Sequence, residues 1–495
     1  MKQATELTAV RDPFFGDPFV DVDEWREAPV RHRYVHGGFQ GTDTRFSLYL
    51  PPAELWRGRF LQTLEGGDGG HEDTAQRALG KRAGIEFAVS MGAYLVESNQ
   101  GHFGSDLAIL RTEPSVHAYR ASAASARHSK LVAAQMYGRE PAHGYVFGGS
   151  GGSARCILCL ENAPDVWDGA VPFIMGHGTS WSLGFSVQAN AARLLGGRLG
   201  DVVDATEVGG SGDPFASLDS RQREALAAMY RSGFPRGAEG SFGTSGYAST
   251  FASHVSALIE TDPTYFDDFW SQPGYAGADG ELDEDLVEAE GEVAAVLTGA
   301  ELQSRLGPGD DRGRMLLAFA GGSPSAPLAV EVPGADASRL IGATLRRLSG
   351  AAAGRELYCV AVVGGALVGR ADLTERFEGV APGDRIAIDN RRYLGYCYFH
   401  RHQVEPDAPE YAHLMVDGRP LYPQRASTFS RTGMLSGGVQ TGRFAGKMIV
   451  VQNAHDAACW PNAAISYRRL VERNLGARID EQYRLWYFEN AAHIP

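Results

Sequence analysis

Gly148-Gly149-Ser150-Gly151-Gly152 sets a serine hydroxyl among glycines in the pattern G-x-S-x-G. Serine is a weak nucleophile until a base takes its proton, and such a turn needs small neighbours because its backbone is strained and other chain passes close by. The pattern stands directly after the apolar run 144–148 (GYVFG) and directly before a helical stretch, 152–161. That is the setting of a nucleophile turn between strand and helix, with a flexible glycine loop or a phosphate-binding turn as the rival. On this reading Ser150 is the nucleophile, and the free N–H of Gly151 at the helix start meets the oxyanion that develops on attack.

The partners of such a serine come later in the chain, a carboxylate and then a histidine after the last strand. Asp456 follows the apolar run 447–452 (KMIVVQ), and His493 follows 484–488 (RLWYF). His493 is then the base, and Asp456 holds its Nδ1–H and stabilises the imidazolium. The alternatives are a solvated helix N-cap for Asp456 and a surface histidine for His493. A second oxyanion donor is expected in the glycine cluster after 59–65 (RFLQTLE), at Gly67, with Gly66 beside it against the substrate.

These residues need a scaffold that brings both ends of the chain together. Apolar runs at 59–65, 93–98, 144–148 and 169–174 alternate with helical patterns at 121–137 and 152–161, and the same alternation returns at 447–452, 462–473 and 484–488. Such grammar predicts an α/β fold whose mostly parallel sheet, flanked by helices, draws on both ends. The α/β-hydrolase fold fits it. The catalytic domain is then discontinuous, 1–176 and 432–495, with 177–431 inserted as a lid or specificity domain, part helical and part β. Aromatic clusters in the insertion place Trp270 and His402 as candidate substrate contacts, with core packing the commoner role for such residues.

Composition narrows the partners. The 495 residues are 43% hydrophobic and 21% charged, enough for a packed enzyme and too apolar for a disordered chain. Lys and Arg number 46 against 60 Asp and Glu, a net charge of −14, and no basic stripe offers a track for nucleic acid. No apolar run is long enough for a membrane span or a signal-peptide core, and five sparse cysteines predict reduced thiols, so a cytoplasmic protein is expected. Cys156 and Cys159 form a C-x-x-C within a predicted helix, where core packing is expected rather than redox or zinc chemistry. No metal-ligand spacing or cofactor motif is evident, so neither a metal nor a cofactor is expected. The expected partner is a small-molecule ester, and oligomeric state is left open.

The stretch from His117-Ala118-Tyr119-Arg120-Ala121 through Lys130 and Tyr137-Gly138 to the G-x-S-x-G resembles the tannase and feruloyl esterase family of α/β-hydrolases. The segment 165–172 (DVWDGAVP) is similar to the family's run after the elbow helix, and 446–456 and 487–493 resemble its acid strand and histidine segment. The resemblance covers about residues 30–176 and 440–495 and implies esterase chemistry, with an aromatic acid as one possible acyl group. Two departures stand out. Gly149 and Ile494 occupy the positions where the family carries a disulfide between nucleophile and histidine, which would leave packing alone to hold His493 near Ser150. The calcium loop of the family's lid has no clear counterpart at Asp310-Asp311 or Asp283-Glu284-Asp285. The chain also stops two residues after His493, where this fold usually adds a closing helix. Acyl transfer or C–C cleavage by the same three residues, or a non-catalytic binding protein on this fold, are the alternative functions.

Overall fold

The computed structural model describes residues 12–75, 84–104, 112–176, 181–241, 247–307, 325–334, 339–370, 377–426 and 437–493, with isolated positions at 109, 314 and 317. The domain boundaries expected at 177 and 431, and the residues Asp310, Asp311 and Ile494, lie outside the described residues. The chain divides into two compact units, Met1–Thr179 with Arg431–Pro495, and Ser180–Ser430.

The first unit is built on nine strands: β1 (Pro18–Arg26), β2 (His32–Phe39), β3 (Arg45–Leu50), β4 (Arg59–Leu64), β5 (Ala93–Ser98), β6 (His143–Ser150), β7 (Gly169–Met175), β8 (Lys447–Asn453) and β9 (Tyr483–Phe488). They form one sheet in the order β1-β2-β3-β5-β4-β6-β7-β8-β9. From β5 to β9 every pairing is parallel, as βαβ crossovers demand. This is an α/β-hydrolase fold.

The first three strands are absent from the sequence expectation, and they make the sheet mixed. Pairings β1–β2, β2–β3 and β3–β5 are antiparallel. Residues 27–31 and 40–44 are too few to cross back over the sheet, so each turn reverses the chain. The first two are concealed because β1 is an edge strand with no buried side chain, PFVDVDEWR, and β2 is broken by Gly37-Gly38, while β3, RFSLYL, is apolar and buried at all but its first position.

Strand β5 shows why the central run is apolar on both faces. Tyr94 and Val96 join one core with Phe60, Val146, Ile157, Leu160, Met448, Tyr467 and Val471, while Ala93 and Leu95 join a second with Tyr49, Leu61 and Ile85. Truncating a fully buried ring such as Phe60 to alanine costs about 3–5 kcal/mol at such sites. The first core is closed by three helices, α1 (Ala121–Tyr137), α2 (Gly151–Asn162) and α3 (Asn462–Leu475). Cys156 and Cys159 are buried and unpaired inside α2, and burial pushes both thiols up, so they are packing groups.

The second unit carries helices Trp181–Leu195, Ser220–Arg231 and Tyr247–Thr261, and an antiparallel sheet. The sheet runs in the order Glu288–Glu292, Arg385–Asp389, Thr344–Arg347, Glu356–Val363, Ala366–Arg370, Pro327–Glu331 and Ala295–Thr298. In either unit, among the described residues, no helix is long and apolar enough to cross a membrane.

Candidate active site

Ser150 ends β6 and caps α2 with φ 55° and ψ −125°, a conformation that costs a β-carbon-bearing residue free energy and persists only where the surroundings enforce it. The glycines around it are where other backbone comes closest. A β-carbon on Gly152 would stand 2.4 Å from the Leu64 carbonyl oxygen, and one on Gly151 2.2 Å from that of Gly67. At Gly149 it would meet the Phe173 ring at 2.4 Å, so a larger residue there requires that exposed ring to move. The strained turn is therefore wedged against β4 and the glycine loop, where backbone leaves room only for glycine at 151 and 152.

Asp456 and His493 come together as expected from the sequence. The Nδ1 of His493 lies 2.8 Å from Asp456 Oδ2 and 3.0 Å from Oδ1. Asp456 is fully buried, and its Oδ1 also accepts the backbone N–H groups of Ala458 at 2.9 Å and Cys459 at 2.7 Å. A solvated N-cap is thereby excluded, since α3 starts only at Asn462. Burial lowers the His493 pKa, but the Asp456 hydrogen bond and the Cys459 contact outweigh it and hold the imidazole above its ordinary value.

The segment before His493 is not held by packing alone. Ala454 N–H donates to Phe488 O at 2.9 Å, His455 N–H to Ala491 O at 3.0 Å, and Asn453 Nδ2 to Ala492 O at 2.6 Å. These three bonds tie the acid loop to the histidine loop. His455 takes part through its backbone.

Cys459 was not anticipated. Its Sγ lies 3.9 Å from Ser150 Oγ and interacts with His493 as well, and burial raises its pKa against the pull of His493. No hydrogen bond joins Ser150 Oγ to His493 among the described residues; the hydroxyl faces the thiol instead. One ligand atom each from Asp456, Cys459 and His493 lie within 4.8 Å of one another. Sequence spacing hides this cluster because it joins two loops after different strands.

Arg155 is the second residue missed. It lies on α2, is 1% exposed, and its Nη2 donates to the carbonyls of Glu65 at 2.6 Å and Gly67 at 3.1 Å. Its Nη1 is 2.9 Å from His117 Nε2, and the His117 ring packs on that of His102, whose Nε2 reaches the Asp68 carbonyl at 3.0 Å. Burial pulls the guanidinium down to about 10, so it remains charged at neutral pH. A lone arginine within GGSARCILCLEN was the signal, because a charge on an apolar helix must find partners inside.

Gly66 and Gly67 form an exposed turn over Ser150, with the Gly66 carbonyl accepting from Gly69 N–H at 3.2 Å. Glu65 anchors the loop from its other end by accepting His71 N–H at 3.1 Å and bonding to His71 Nδ1 at 3.0 Å. The two residues expected in the insertion sit in the second unit. Trp270 is half-buried, donates to Arg391 O at 3.3 Å and lies under the Arg391 guanidinium. His402 is 1% exposed, stacks on Tyr275 at 4.2 Å and bonds through Nδ1 to Pro423 O at 2.8 Å. His402 is thus enclosed in an aromatic core, and its expected role as a substrate contact is corrected to one of packing.

No family model and no curated protein matches the chain. Among solved structures it is similar to feruloyl esterase B from Aspergillus oryzae, at 14% identity over 96% of this chain and 80% of that one, TM-score 0.40. Tannin acyl hydrolase from Aspergillus niger gives 14% identity over 96% and 78%, TM-score 0.40. An esterase from Aspergillus oryzae gives 12% over 98% and 80%, TM-score 0.41. At TM-scores below 0.5 these likenesses carry no argument about the site, and the fold rests on the strand order and the serine turn described above.

Proposed function

We propose that this chain is a serine carboxylic ester hydrolase. The observation that carries the reading is the strained turn at Ser150, φ 55° and ψ −125°, beside a buried Asp456 that holds His493 Nδ1 at 2.8 Å. A fold pays for such strain where it presents a side chain for chemistry.

In this reading His493 takes the Ser150 proton through Nε2 as Oγ attacks the ester carbonyl, and Asp456 stabilises the imidazolium. The tetrahedral oxyanion is met by the N–H of Gly151 and by one from the glycine loop, assigned to Gly67 with Gly66 against the substrate. The imidazolium then protonates the leaving alcohol, and water attacks the acyl-enzyme by the same route. The acyl group proposed is that of an aromatic acid, in keeping with the motif resemblance, and residues 177–431 are read as the specificity domain. A cytoplasmic location suits the five unpaired cysteines.

Labelling tests the reading. A fluorophosphonate probe should modify wild type at Ser150 and leave Ser150→Ala unlabelled, and a screen of acyl esters should show hydrolysis by wild type alone. Equal labelling of both proteins would remove Ser150 from the mechanism.

A further inference from the structure

The second unit contains a cavity of about 410 Å³, within the range of small-molecule sites. Helices Trp181–Leu195 and Ser220–Arg231 give it an apolar side, with Val187, Leu194, Ala225 and Ala228. The opposite character comes from Arg401, Tyr398, Tyr422 and His413.

Arg401 is held in an unusual way. Its guanidinium lies 4.4 Å from the Tyr398 ring centroid and 4.7 Å from that of Tyr422, so two aromatic rings fix it. Its nearest carboxylate, on Glu281, is 3.7 Å away, an ion pair too long for a hydrogen bond. Among the described residues none of the guanidinium N–H groups has a hydrogen-bond partner. The side chain is only 22% exposed, so water is restricted as a substitute. The other two arginines in the wall are committed, Arg221 to Asp285 and Arg231 to Glu224. His413 stands in the same wall with its buried Nε2 unpartnered. A planar fork of five donors, clamped by rings at the edge of an apolar cavity, matches one chemistry well: a carboxylate that accepts two parallel N–H bonds.

We propose that this cavity binds a small carboxylic acid with an apolar or aromatic body, its carboxylate on Arg401 and its body between the two helices. The acidic residues in the wall, Glu224 and Glu281, favour a single negative charge over a phosphate or a dicarboxylate. The site lies wholly in the second unit and uses none of the residues assigned to ester hydrolysis.

Calorimetry with benzoate and with benzamide, on the full-length protein, tests this without any turnover, so its result is separate from that of the esterase reading. Benzoate should bind wild type, and benzamide, which has the same body without the charge, should bind at least about tenfold more weakly. Arg401→Gln should weaken benzoate by about tenfold or more, and so should Ala228→Phe, which fills the cavity from the other side and leaves the guanidinium in place. Benzoate binding of equal strength in both variants, equal binding of benzamide, or no benzoate binding at millimolar concentration would each overturn the proposal.

Discussion

The guanidinium of Arg155 reaches back from the elbow helix to the carbonyl of Gly67 at 3.1 Å, and the same nitrogen holds Glu65 at 2.6 Å. A peptide unit is planar and trans, so fixing a carbonyl fixes the N–H on the opposite edge of the plane. Arg155 thereby fixes the two peptide planes, 65–66 and 67–68, that flank the one carrying the Gly67 N–H. It is a positioning residue for the glycine loop over Ser150.

Arg155→Lys keeps the charge but loses the fork, and Arg155→Gln loses both. We expect turnover to fall in that order, with the Gln variant down by about 10²–10³, the scale of a lost oxyanion donor. The fall should appear in kcat with KM changed by less than about threefold, because the donor acts mainly in the transition state. A Gln variant with normal kcat and a lowered Tm would make Arg155 a packing residue only.

Asp456→Asn separates orientation from charge. Asp456 is buried and bonded to two backbone N–H groups and to His493, so asparagine keeps the shape and favours the wrong imidazole tautomer. Turnover should drop by about 10⁴ with circular dichroism unchanged. A loss under about tenfold would point to another acid.

The pH profile reports the same pair. His493 must be neutral to act as base, and its pKa is raised because the carboxylate and the Cys459 contact outweigh burial. The acid limb of kcat/KM should therefore lie above the ordinary histidine value of about 6.5. In Asp456→Asn the imidazolium loses its partner while burial persists, so the limb of the residual activity should move to lower pH. A limb that stays in place would assign it to a different group.

Glu97 supplies a stability test. It is 1% exposed on β5 and accepts from Thr74 Oγ1, from Tyr49 Oη at 2.9 Å and from Ala75 N–H at 3.0 Å, which anchors the chain leaving the glycine loop. Burial raises its carboxyl to about 7, against the pull of those hydrogen bonds. Since an unfolded glutamate titrates near ~4.3, the folded protein holds the extra proton between the two values. The contribution is complete below the unfolded value and is lost as pH rises through the folded one. Tm measured from pH 5 to pH 8 should fall in wild type and fall less in Glu97→Gln; parallel curves would refute the assignment.

Much of this was legible in the residues themselves. Strand β5 and helix α1 have the bounds that the apolar runs predict, since a strand buried on both faces and an alanine-rich helix each leave a local signature. Ser150, Asp456 and His493 could be named because each follows an apolar run that ends a strand, and the ends of parallel strands lie along one edge of a sheet. Strands β1 and β2 could not be read, because their pairing partners and not their own pattern decide that they are strands, whereas β3, RFSLYL, does carry the apolar run of a buried strand.

What only the tertiary structure decided are contacts between distant segments. Cys459 meets Ser150 across 309 positions, Arg155 meets Glu65 across 90, and Asn453 meets Ala492 across 39. Their pairing depends on the order in which strands assemble, which periodicity does not encode. The sequence determined the reactive groups and their scaffold. Which buried charge braces the glycine loop, and which bonds tie the acid loop to the histidine loop, was decided by the close packing of loops in space, where each buried polar group must find its partner.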